Sequence, residues 1–351
     1  MHVGVFVEEK RREASEADAF RDVLDLAARA EAGGIDCVWL GEIHFNAARS
    51  VISASLQVAT AIAARTRRLR VGTAVQVLPL QHPLRIAEEV ATVDHLSGGR
   101  FEFGVGRSGV ASTYDTYGVP YAESQARFAE ALEIIRLAWR GEPFSYEGRF
   151  HRVRDARVSP QPLQKPHPPI RMAVTSDETF PAAGRLGLPV FVGLRVAEIP
   201  DLRLQLATYR QAWREAGHAG APSVYLRMPV YASTSDAAAA DEARASLTYF
   251  FGRQAELARA GAGRAGTSKP EQRRAQAERM ATLSYEDILA RKVAVGGAER
   301  VIARLGEIRA ALGLDGIIAE LNPGGHIAPA LEARSLEILA RSVVPALQRA
   351  C

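Results

Sequence analysis

Residues 69–109, LRVGTAVQVLPLQHPLRIAEEVATVDHLSGGRFEFGVGRSG, decide the fold of this chain. The alternating apolar residues of 71–77 favour a strand, because such side chains fit a pleated, half-buried surface. Pro83 is typical of the first position of a helix and the glycine pair 98–99 of its end, with apolar residues at helical spacing between them. A second apolar run follows at 101–105. The stretch therefore predicts two parallel strands joined by a helix.

Arg107 follows the carboxyl end of that second strand, where parallel α/β folds bind ligands, and its fixed charge suits a phosphate. Gly104, Gly106 and Gly109 also match the dinucleotide pattern G-x-G-x-x-G. That pattern needs a helix that opens on its last glycines. The residues after Gly109 predict a polar, aromatic loop, with the next helix beginning only near Glu123. The sequence therefore argues against a Rossmann site.

The composition is that of an ordinary soluble enzyme, with 47% hydrophobic and 24% charged residues. The 44 basic and 40 acidic residues give a net charge of +4, and no dense basic run is interleaved with aromatics, so we expect no nucleic-acid binding. We see no apolar span of membrane length, and the start lacks the residue order of a signal peptide. Cys37 and Cys351 have neither metal-site nor disulfide spacing, which favours a cytoplasmic protein without a metal.

Strand and helix candidates alternate along the whole chain. The strand candidates are residues 2–7, 37–40, 71–77, 101–105, 170–174, 189–192, 224–232 and 316–321. The helix candidates are residues 17–32, 51–65, 83–97, 123–139, 180–186, 202–216, 301–312 and 329–347. Eight strand-then-helix units predict a closed (β/α)8 TIM barrel in a single domain, residues 1–351, because closure leaves no edge strand. An open doubly wound sheet is the alternative.

Two segments interrupt the alternation. Residues 141–169 have aromatics that alternate around a Glu-Gly pair and then become proline-rich, which predicts a surface hairpin and an extended connector. Residues 235–291 form a long insertion between strand 7 and helix 7. We interpret it as a lid over the barrel mouth, or else as a solvated helical hairpin without a role. Within it, residues 261–271 are expected to be mobile without ligand.

Several segments together resemble the bacterial luciferase family of flavin-dependent monooxygenases. They are residues 39–45 (WLGEIHF), 72–89, 96–107 and 168–179, with a weaker likeness at 322–325. They span nearly the whole chain in the order of the family. The resemblance implies a (β/α)8 barrel, reduced FMN at its carboxyl face, and a homodimer.

The family places the flavin phosphate at two positions that match residues here. Arg107 would supply a guanidinium, and Thr175, Ser176 and Thr179 hydroxyls and amides at the mouth of a helix. Two alternatives need no ligand. Arg107 could form a surface ion pair, and the serine and threonines could cap the helix at Phe180.

The resemblance also implies a cis peptide bond after the third strand, here between Ala74 and Val75, against the flavin. Such non-prolyl bonds mark ligand sites. His82 precedes Pro83 and could simply begin the helix. Glu88 is expected to be an inward carboxylate with a structural role.

His44 and Glu42 are the candidate catalytic residues, in the segment Glu42-Ile43-His44-Phe45. The family pattern is Glu-His-His-Phe, so Ile43 stands in place of the first histidine. Because that histidine assists the chemistry of luciferases, its replacement argues against a luciferase-like proton relay. Reduced-flavin oxygen chemistry stays possible, because the flavin itself performs it. Glu42 could orient His44 or pair with an arginine.

The sequence thus predicts a two-component monooxygenase. A separate flavin reductase would supply reduced FMN, and O₂ would oxygenate a small organic substrate through a flavin peroxide under a lid that excludes water. Tyr114 and Tyr117 would line the substrate side or pack the loop. The alternatives are a deazaflavin-dependent oxidoreductase of the same fold and a non-catalytic flavin-binding protein.

Overall fold

The structure is a computed structural model that describes residues 1–8, 15–195, 197–262 and 270–349. Its strands, in chain order, are β1 (His2–Val7), β2 (Cys37–Leu40), β3 (Arg70–Thr73), β4 (Gln76–Val77), β5 (Phe101–Gly106), β6 (Phe144–Glu147), β7 (Arg152–Ala156), β8 (Ile170–Ala173), β9 (Val190–Gly193), β10 (Val224–Ala232), β11 (Ala294–Gly296) and β12 (Gly316–Glu320).

Eight of these strands, all parallel, close into a barrel. Their order around the ring is β1, β2, β3, β5, β8, β9, β10 and β12, and β12 pairs back onto β1. The short strand β4 continues the pairing along β5, and β11 pairs with the end of β10. The predicted TIM barrel is confirmed, and the open doubly wound sheet is excluded because the ring has no edge.

The helices surround this barrel. They are α1 (Glu16–Ala32), α2 (Ser55–Ala63), α3 (Pro83–Leu96), α4 (Ala111–Tyr117), α5 (Ser124–Ala138), α6 (Thr179–Arg185), α7 (Ile199–Glu215), α8 (Asp236–Ala262), α9 (Pro270–Ala281), α10 (Tyr285–Arg291), α11 (Ala298–Leu312), α12 (Pro329–Ile338) and α13 (Val344–Arg349). Most match the predicted positions. Among the described residues, no helix is long and apolar enough to span a membrane.

Two helix predictions were wrong. The helix expected over 51–65 covers only α2, because Ile52 instead accepts the amide of Ile43 and donates to the Ser50 hydroxyl. The loop expected after Gly109 contains α4, whose Tyr114 is fully buried. Burial of one aromatic ring there outweighs the polar composition on which the loop was predicted.

Trp39 fills the centre of the barrel. It is fully buried among Phe6, Phe191 and Tyr225 and meets the last two rings edge-on, at 5.0 and 6.1 Å. The indole fits because its neighbours on the flanking strands are glycines. A Cβ added at Gly72 would lie 2.5 Å from the Trp39 ring, so the interior is a packed core and not a pore.

Charged side chains fill the amino end of the barrel interior. Glu102 accepts hydrogen bonds from Arg70 (2.8 Å) and Arg171 (3.1 Å), and the Arg171 guanidinium stacks 3.7 Å from the Tyr225 ring. Burial acts to raise the pKa of Glu102, but the two guanidiniums outweigh it and hold that pKa below its usual value. Every charge in this group has a partner, as a purely structural network requires.

The insertion predicted between strand 7 and helix 7 is present. It consists of α8, α9, α10 and β11, and α8 packs along α9. It has its own apolar cluster, which includes Leu247, Phe251 and Ile288. At its end the buried Lys292 binds Glu198 at 2.7 Å. Its described part is thus a packed helical hairpin, whereas residues 263–269, at the centre of the expected mobile segment, lie outside the described residues.

The excursion at 141–169 is the predicted surface hairpin. Strands β6 and β7 pair antiparallel, and the Glu130 carboxylate of α5 accepts the amides of Arg149, Phe150 and His151. An extended connector then leads to β8.

We predict that Gly72→Ala destabilises the protein by about 1–3 kcal/mol, because the added methyl group overlaps the Trp39 ring and must displace it. Denaturant unfolding measures the change. Gly306→Ala in α11 is the matched control, since nothing lies within 4 Å of its added Cβ. It should be neutral or stabilising by up to about 1 kcal/mol. Equal effects of the two substitutions would contradict this account of the core.

A second prediction concerns acid stability. Glu31 accepts the amides of Arg67, Arg68 and Leu69 at 2.7, 2.7 and 3.1 Å, and these hydrogen bonds, that of Arg68 first, lower its pKa to about 2. A lowered pKa stabilises the fold above the unfolded value of about 4.3, and this stability is lost as the pH falls towards 2. Glu31→Gln should cost about 1 kcal/mol at pH 7, given the partial exposure of this site.

Unfolding of both proteins at pH 7, 5 and 3 checks this. The gap between wild type and Glu31→Gln should narrow below pH 4.5. A gap that stays constant down to pH 3 would show that the charge of Glu31 contributes nothing.

Candidate active site

The predicted site residues all lie at the carboxyl end of the barrel, on one half of its mouth. They follow β2, β3, β5 and β8, which are consecutive in the ring. Parallel strands that are neighbours end side by side, so these residues meet although they are far apart in sequence. The register pairs Val105 with Met172, which brings the residues after β5 level with those after β8.

Glu42, His44 and Tyr117 form a chain of hydrogen bonds. The His44 Nε2 lies 2.8 Å from the Glu42 Oε1, and the Tyr117 hydroxyl lies 3.1 Å from the His44 Nδ1. The Glu42 side chain is completely buried, and its second oxygen accepts the Val77 amide at 3.1 Å. Glu42 therefore orients His44, one of the two roles expected for it.

The hydrogen bonds to Glu42 and Tyr117 occupy both ring nitrogens of His44. With Glu42 as acceptor, a neutral His44 carries its proton on Nε2 and accepts the Tyr117 hydroxyl at Nδ1. Tyr117 is 45% exposed and Phe45 66% exposed, and their rings lie 5.2 Å apart beside the imidazole. Burial, and then the charge of Glu42, raise the pKa of Tyr117, so its hydroxyl stays protonated at neutral pH. His44 is thus held in one orientation at the edge of the mouth.

Tyr117 reaches His44 because of α4, the helix that the sequence did not predict. The Tyr114 hydroxyl of the same helix donates to the Arg107 carbonyl, which fixes α4 against the end of β5. Tyr117 was considered as a residue that lines the substrate side or packs the loop. The structure gives it a defined contact with His44, and it gives Tyr114 a packing role.

The peptide bond between Ala74 and Val75 is cis, as predicted. It interrupts the third strand between β3 and β4 and lies beside Glu42, which binds the amide of Val77. The Ala74 and Val75 side chains pack against the Trp39 cluster at the top of the barrel interior. They lie at the bottom of the opening at the carboxyl end of the barrel.

Arg107 lies just beyond β5 and is half-buried. Its Nη1 donates to the Ser124 hydroxyl at 2.9 Å, at the start of α5. Among the described residues it forms no ion pair, so the structure offers no support for the alternative of a surface ion pair. A guanidinium has five N–H donors in a fork, so Arg107 suits a second, anionic acceptor.

Thr175, Ser176 and Thr179 form a turn between β8 and α6. The Thr179 hydroxyl accepts the amides of Thr175 (3.3 Å) and Ser176 (3.2 Å) and donates to the Ser176 carbonyl (2.7 Å). The residue in the cap position of α6 is Glu178, whose side chain forms no capping hydrogen bond. The alternative in which these side chains cap the helix at Phe180 is therefore not what the geometry shows. The amides of Thr175 and Ser176 converge on the Thr179 hydroxyl, which accepts both.

Two other candidates stand apart from this site. Glu88 is half-buried on α3 and does not reach His44, which Glu42 binds instead, so its expected inward position was wrong. His82 has extended backbone at the start of α3 and its ring lies 5.5 Å from that of His151. It begins the helix, as one interpretation expected.

The opposite half of the mouth carries a charged cluster that the sequence analysis missed. Arg49 binds Glu8 through two hydrogen bonds of 3.0 and 2.7 Å, and Arg227 binds Glu320 while lying 3.3 Å from the Phe6 ring. Arg195 completes the cluster. Burial, followed by the charge of Arg227, lowers the pKa of Arg195 to about 10. Glu8 and Arg195 each follow a barrel strand, the same signal that identified Arg107.

Beside this cluster lies a cleft with about 980 Å³ of empty space, counting its open mouth. Its walls come from the ends of β1 and β12, the loop after β2, and α8 of the insertion. The lining is partly apolar and partly polar, and includes Phe6, Glu8, Arg49, Phe250, Leu257, Glu320 and Asn322. No cluster of metal-binding side chains occurs in the part of the chain that the structure describes.

A closed parallel barrel with side chains converging at its carboxyl mouth defines an enzyme-type site. The sequence model of the luciferase-like monooxygenases matches residues 1–316, and the chain belongs to this family. Its curated relatives include a flavin-dependent trigonelline monooxygenase and alkanal monooxygenase alpha chains.

Three known proteins show what this chain is similar to in sequence and in structure. The oxygenase component of the flavin-dependent trigonelline monooxygenase of Acinetobacter baylyi is 25% identical over 71% of each chain. The crystal structure of monooxygenase RslO1 from Streptomyces bottropensis has a TM-score of 0.81 and 25% identity, over 98% of this chain and 99% of that one. The oxygenating constituent of 3,6-diketocamphane monooxygenase from Pseudomonas putida, in complex with FMN, has a TM-score of 0.81 and 20% identity, over 98% of both chains, which shows the shared fold.

Other curated relatives match over a shorter stretch. The chain spans about half the length of two proteins from Sinorhizobium fredii, with 37% and 36% identity. Neither has an assigned activity, so these matches add no substrate.

Proposed function

We propose that this protein is the oxygenase of a two-component system. It binds reduced FMN that a separate flavin reductase supplies, and it uses O₂ to oxygenate a small organic substrate. The observation that carries this proposal is the arrangement of the mouth. One half holds an arginine beside a turn with three hydroxyl side chains, and Ala74 and Val75 lie at the centre beside the hydrogen-bonded His44.

The residues present fit the phosphate of FMN. Arg107 has donors beyond the one that Ser124 engages, and the neighbouring turn carries the hydroxyls of Thr175 and Ser176, while its two amides bind the Thr179 hydroxyl. A guanidinium beside hydroxyl donors suits a phosphate. Arg107, Thr175, Ser176 and Thr179 would hold the phosphate, and Ala74 and Val75 would contact the ring system.

When bound, reduced FMN supplies the electrons that activate O₂. The protein orients and shields the reactants. Glu42 keeps His44 in one orientation, so His44 would position the substrate or the flavin. The chain has Ile43 in place of the first histidine of the family pattern, and we therefore assign His44 a positioning role and no obligatory proton transfer. The helical insertion, with α8 along the cleft, limits the access of water, which favours oxygenation over release of hydrogen peroxide.

The names of the relatives support FMN as the cofactor and a flavin reductase as the partner. The trigonelline enzyme is an oxygenase component, which implies a reductase, and the diketocamphane structure contains FMN. We also propose that the protein acts as a homodimer in the cytoplasm. The second candidate is a deazaflavin-dependent oxidoreductase, since enzymes that use coenzyme F420 share this fold.

One experiment separates these functions. Binding of FMN, FAD and the deazaflavin is measured in oxidised and reduced form, and the tightest reduced ligand is then mixed with O₂ and a substrate panel in single turnover. Our proposal expects FMN to bind best and product to form. Selective deazaflavin binding would favour the second candidate. Flavin binding without product from any substrate would indicate a flavin-binding protein.

We predict that Arg107→Ala weakens binding of reduced FMN by roughly 1.5–3 kcal/mol, because a charged hydrogen bond to phosphate is lost. The fold should stay intact, since the part of the chain that the structure describes gives this side chain one hydrogen bond, to Ser124. Riboflavin, which lacks the phosphate, is the control ligand. A mutation that weakened riboflavin and FMN equally would show that Arg107 is not a phosphate ligand.

We predict that His44→Gln slows oxygenation by less than the 10²–10⁴-fold that loss of a general base produces, and that it raises the hydrogen peroxide released per flavin oxidised. Glutamine keeps a hydrogen bond to Glu42 but cannot titrate near neutrality. Tyr117→Phe is the matched variant, because it removes only the hydrogen bond to Nδ1 and should act in the same direction more weakly.

Product and peroxide yields in single turnover with pre-reduced FMN measure both effects. A thousand-fold slower oxygenation with unchanged coupling would make His44 the catalytic base. Unchanged rate and coupling would leave it a structural residue.

A further inference from the structure

The cleft beside the charged cluster opens from the centre of the barrel mouth. Phe6 lines the cleft and also belongs to the apolar cluster against which Ala74 and Val75 pack. The loop after β2 carries His44 and, a little further along, Asn46 of the cleft wall. In the ring of strands, β1 and β12 lie opposite β8 and β5, so a flavin whose phosphate is held after β5 and β8 leaves this side to a second ligand.

One face of α8 forms a wall of this cleft. The residues of that face are Tyr249, Phe250, Arg253, Gln254 and Leu257. They recur at intervals of three and four positions, as one side of a helix requires. Tyr249 is 46% exposed and Leu257 36% exposed, although both side chains are largely apolar. The ends of β1 and β12 add Phe6, Val7 and Leu321. An apolar surface exposed inside a cleft is typical of a site that a ligand covers.

Every charged side chain in the described lining of the cleft already has a partner. The pairs are Arg49 with Glu8, Arg227 with Glu320, Asn322 with Glu332, and Arg253 with Glu256. An ionised ligand would have to break one of these pairs or lie in the cleft without a counter-charge, and burying a charge without a partner costs free energy. A neutral ligand meets neither cost. The described lining therefore favours a neutral molecule.

Tyr249 is held in place by the loop after β12. Its ring meets the His326 ring edge-on at 4.6 Å. The Ser246 hydroxyl, about one turn earlier on α8, donates to the Pro323 carbonyl (2.6 Å) and accepts the His326 amide (3.1 Å). Gly324 allows this close approach, because a Cβ there would lie 2.6 Å from the Ser246 carbonyl oxygen. The loop thus anchors the α8 wall of the cleft.

The Tyr249 hydroxyl has no hydrogen-bond partner among the residues that the structure describes. A phenol hydroxyl both donates and accepts a hydrogen bond. Because the ring is already ordered by His326, a hydrogen bond from this hydroxyl to a ligand costs little further side-chain entropy. Tyr249 therefore suits the polar group of a ligand whose apolar part contacts Phe250 and Leu257.

We propose that the cleft binds the substrate, and that the substrate is a neutral aromatic molecule with a hydroxyl, carbonyl or amide group hydrogen-bonded to Tyr249. Its ring system would contact Phe6, Phe250 and Leu257, since aromatic rings pair favourably with one another. The empty space of about 980 Å³, counting the open mouth, accommodates a molecule of several rings. This inference rests on the proposed function, because it names the substrate class of that same site.

The preference for a neutral ligand is tested with 2-naphthamide and 2-naphthoate, which share a ring system and differ in charge. Equilibrium dialysis of the full chain measures each dissociation constant, with and without saturating FMN. We expect 2-naphthamide to bind at least about fivefold more tightly, because the carboxylate loses hydration without gaining a partner. FMN should leave the binding of 2-naphthamide unchanged or make it tighter. Equal or tighter binding of 2-naphthoate, or displacement of 2-naphthamide by FMN, would overturn the inference.

Two tryptophan variants test whether the probe binds in the cleft. Leu257→Trp fills part of the cleft and should weaken binding of 2-naphthamide by about tenfold. Leu204→Trp is the matched control, because Leu204 is 68% exposed on α7 and is not part of the cleft lining, so binding should be unchanged. Both variants should melt as wild type does, since both leucines are exposed. Unchanged binding to Leu257→Trp, or an equal loss in both variants, would show that the cleft is not the site.

Tyr249→Phe tests the hydrogen bond without disturbing the cleft, because phenylalanine keeps the ring against His326. It should weaken 2-naphthamide by about three- to tenfold and leave 2-methylnaphthalene, which has no polar group, unchanged. Equal effects on the two probes, or no effect on either, would contradict the role of Tyr249.

The binding assays need no turnover, so the two proposals fail separately. A chain that binds 2-naphthamide in the cleft but forms no product from any substrate with reduced FMN would refute the proposed function alone. A chain that oxygenates a substrate whose binding Leu257→Trp and Tyr249→Phe leave unchanged would refute this inference alone.

Discussion

The closure of the barrel around Trp39 is the constraint on which the rest of the structure depends. The indole can occupy the centre only because Gly4 and Gly72 on the flanking strands have no side chains there. This packing fixes the ring of eight strands, and the ring fixes which loops are neighbours. Residues as distant in sequence as Glu42, Arg107 and Thr175 then lie on one half of the mouth because their strands are adjacent.

The two ends of the barrel use charge differently. At the amino end, Glu102 accepts hydrogen bonds from both Arg70 and Arg171, and the Tyr225 ring stacks on Arg171, so every charged group there has a partner. At the carboxyl end, Arg49 pairs with Glu8 and Arg227 with Glu320, and none of the described residues accepts a hydrogen bond from Arg195. An unmatched buried charge is a cost to stability, and proteins retain such costs where function uses them. This difference between the two ends supports the assignment of the carboxyl end as the one that carries the functional site.

Much of the fold was predictable from the chain. The periods of two and about 3.6 residues located all eight barrel strands and most helices, and the resemblance to the luciferase family implied the cis bond between Ala74 and Val75. The errors came where burial outweighed local composition. The sequence of α4 is polar and aromatic, yet the buried Tyr114 makes it a helix, and that helix supplies the Tyr117 that binds His44. No local pattern connects residues 44 and 117.

By itself, the sequence determined the eight strand-then-helix units, the position of the insertion, and the residues at strand ends, because these depend on local periodicity and on short motifs. Only the tertiary structure decided which of those residues act together. It joined Glu42, His44 and Tyr117 into one hydrogen-bonded chain, and it brought Glu8, Arg49, Arg195, Arg227 and Glu320 into one cluster. Pairing of charges is set by distances across the barrel mouth, and closure of the ring creates those distances.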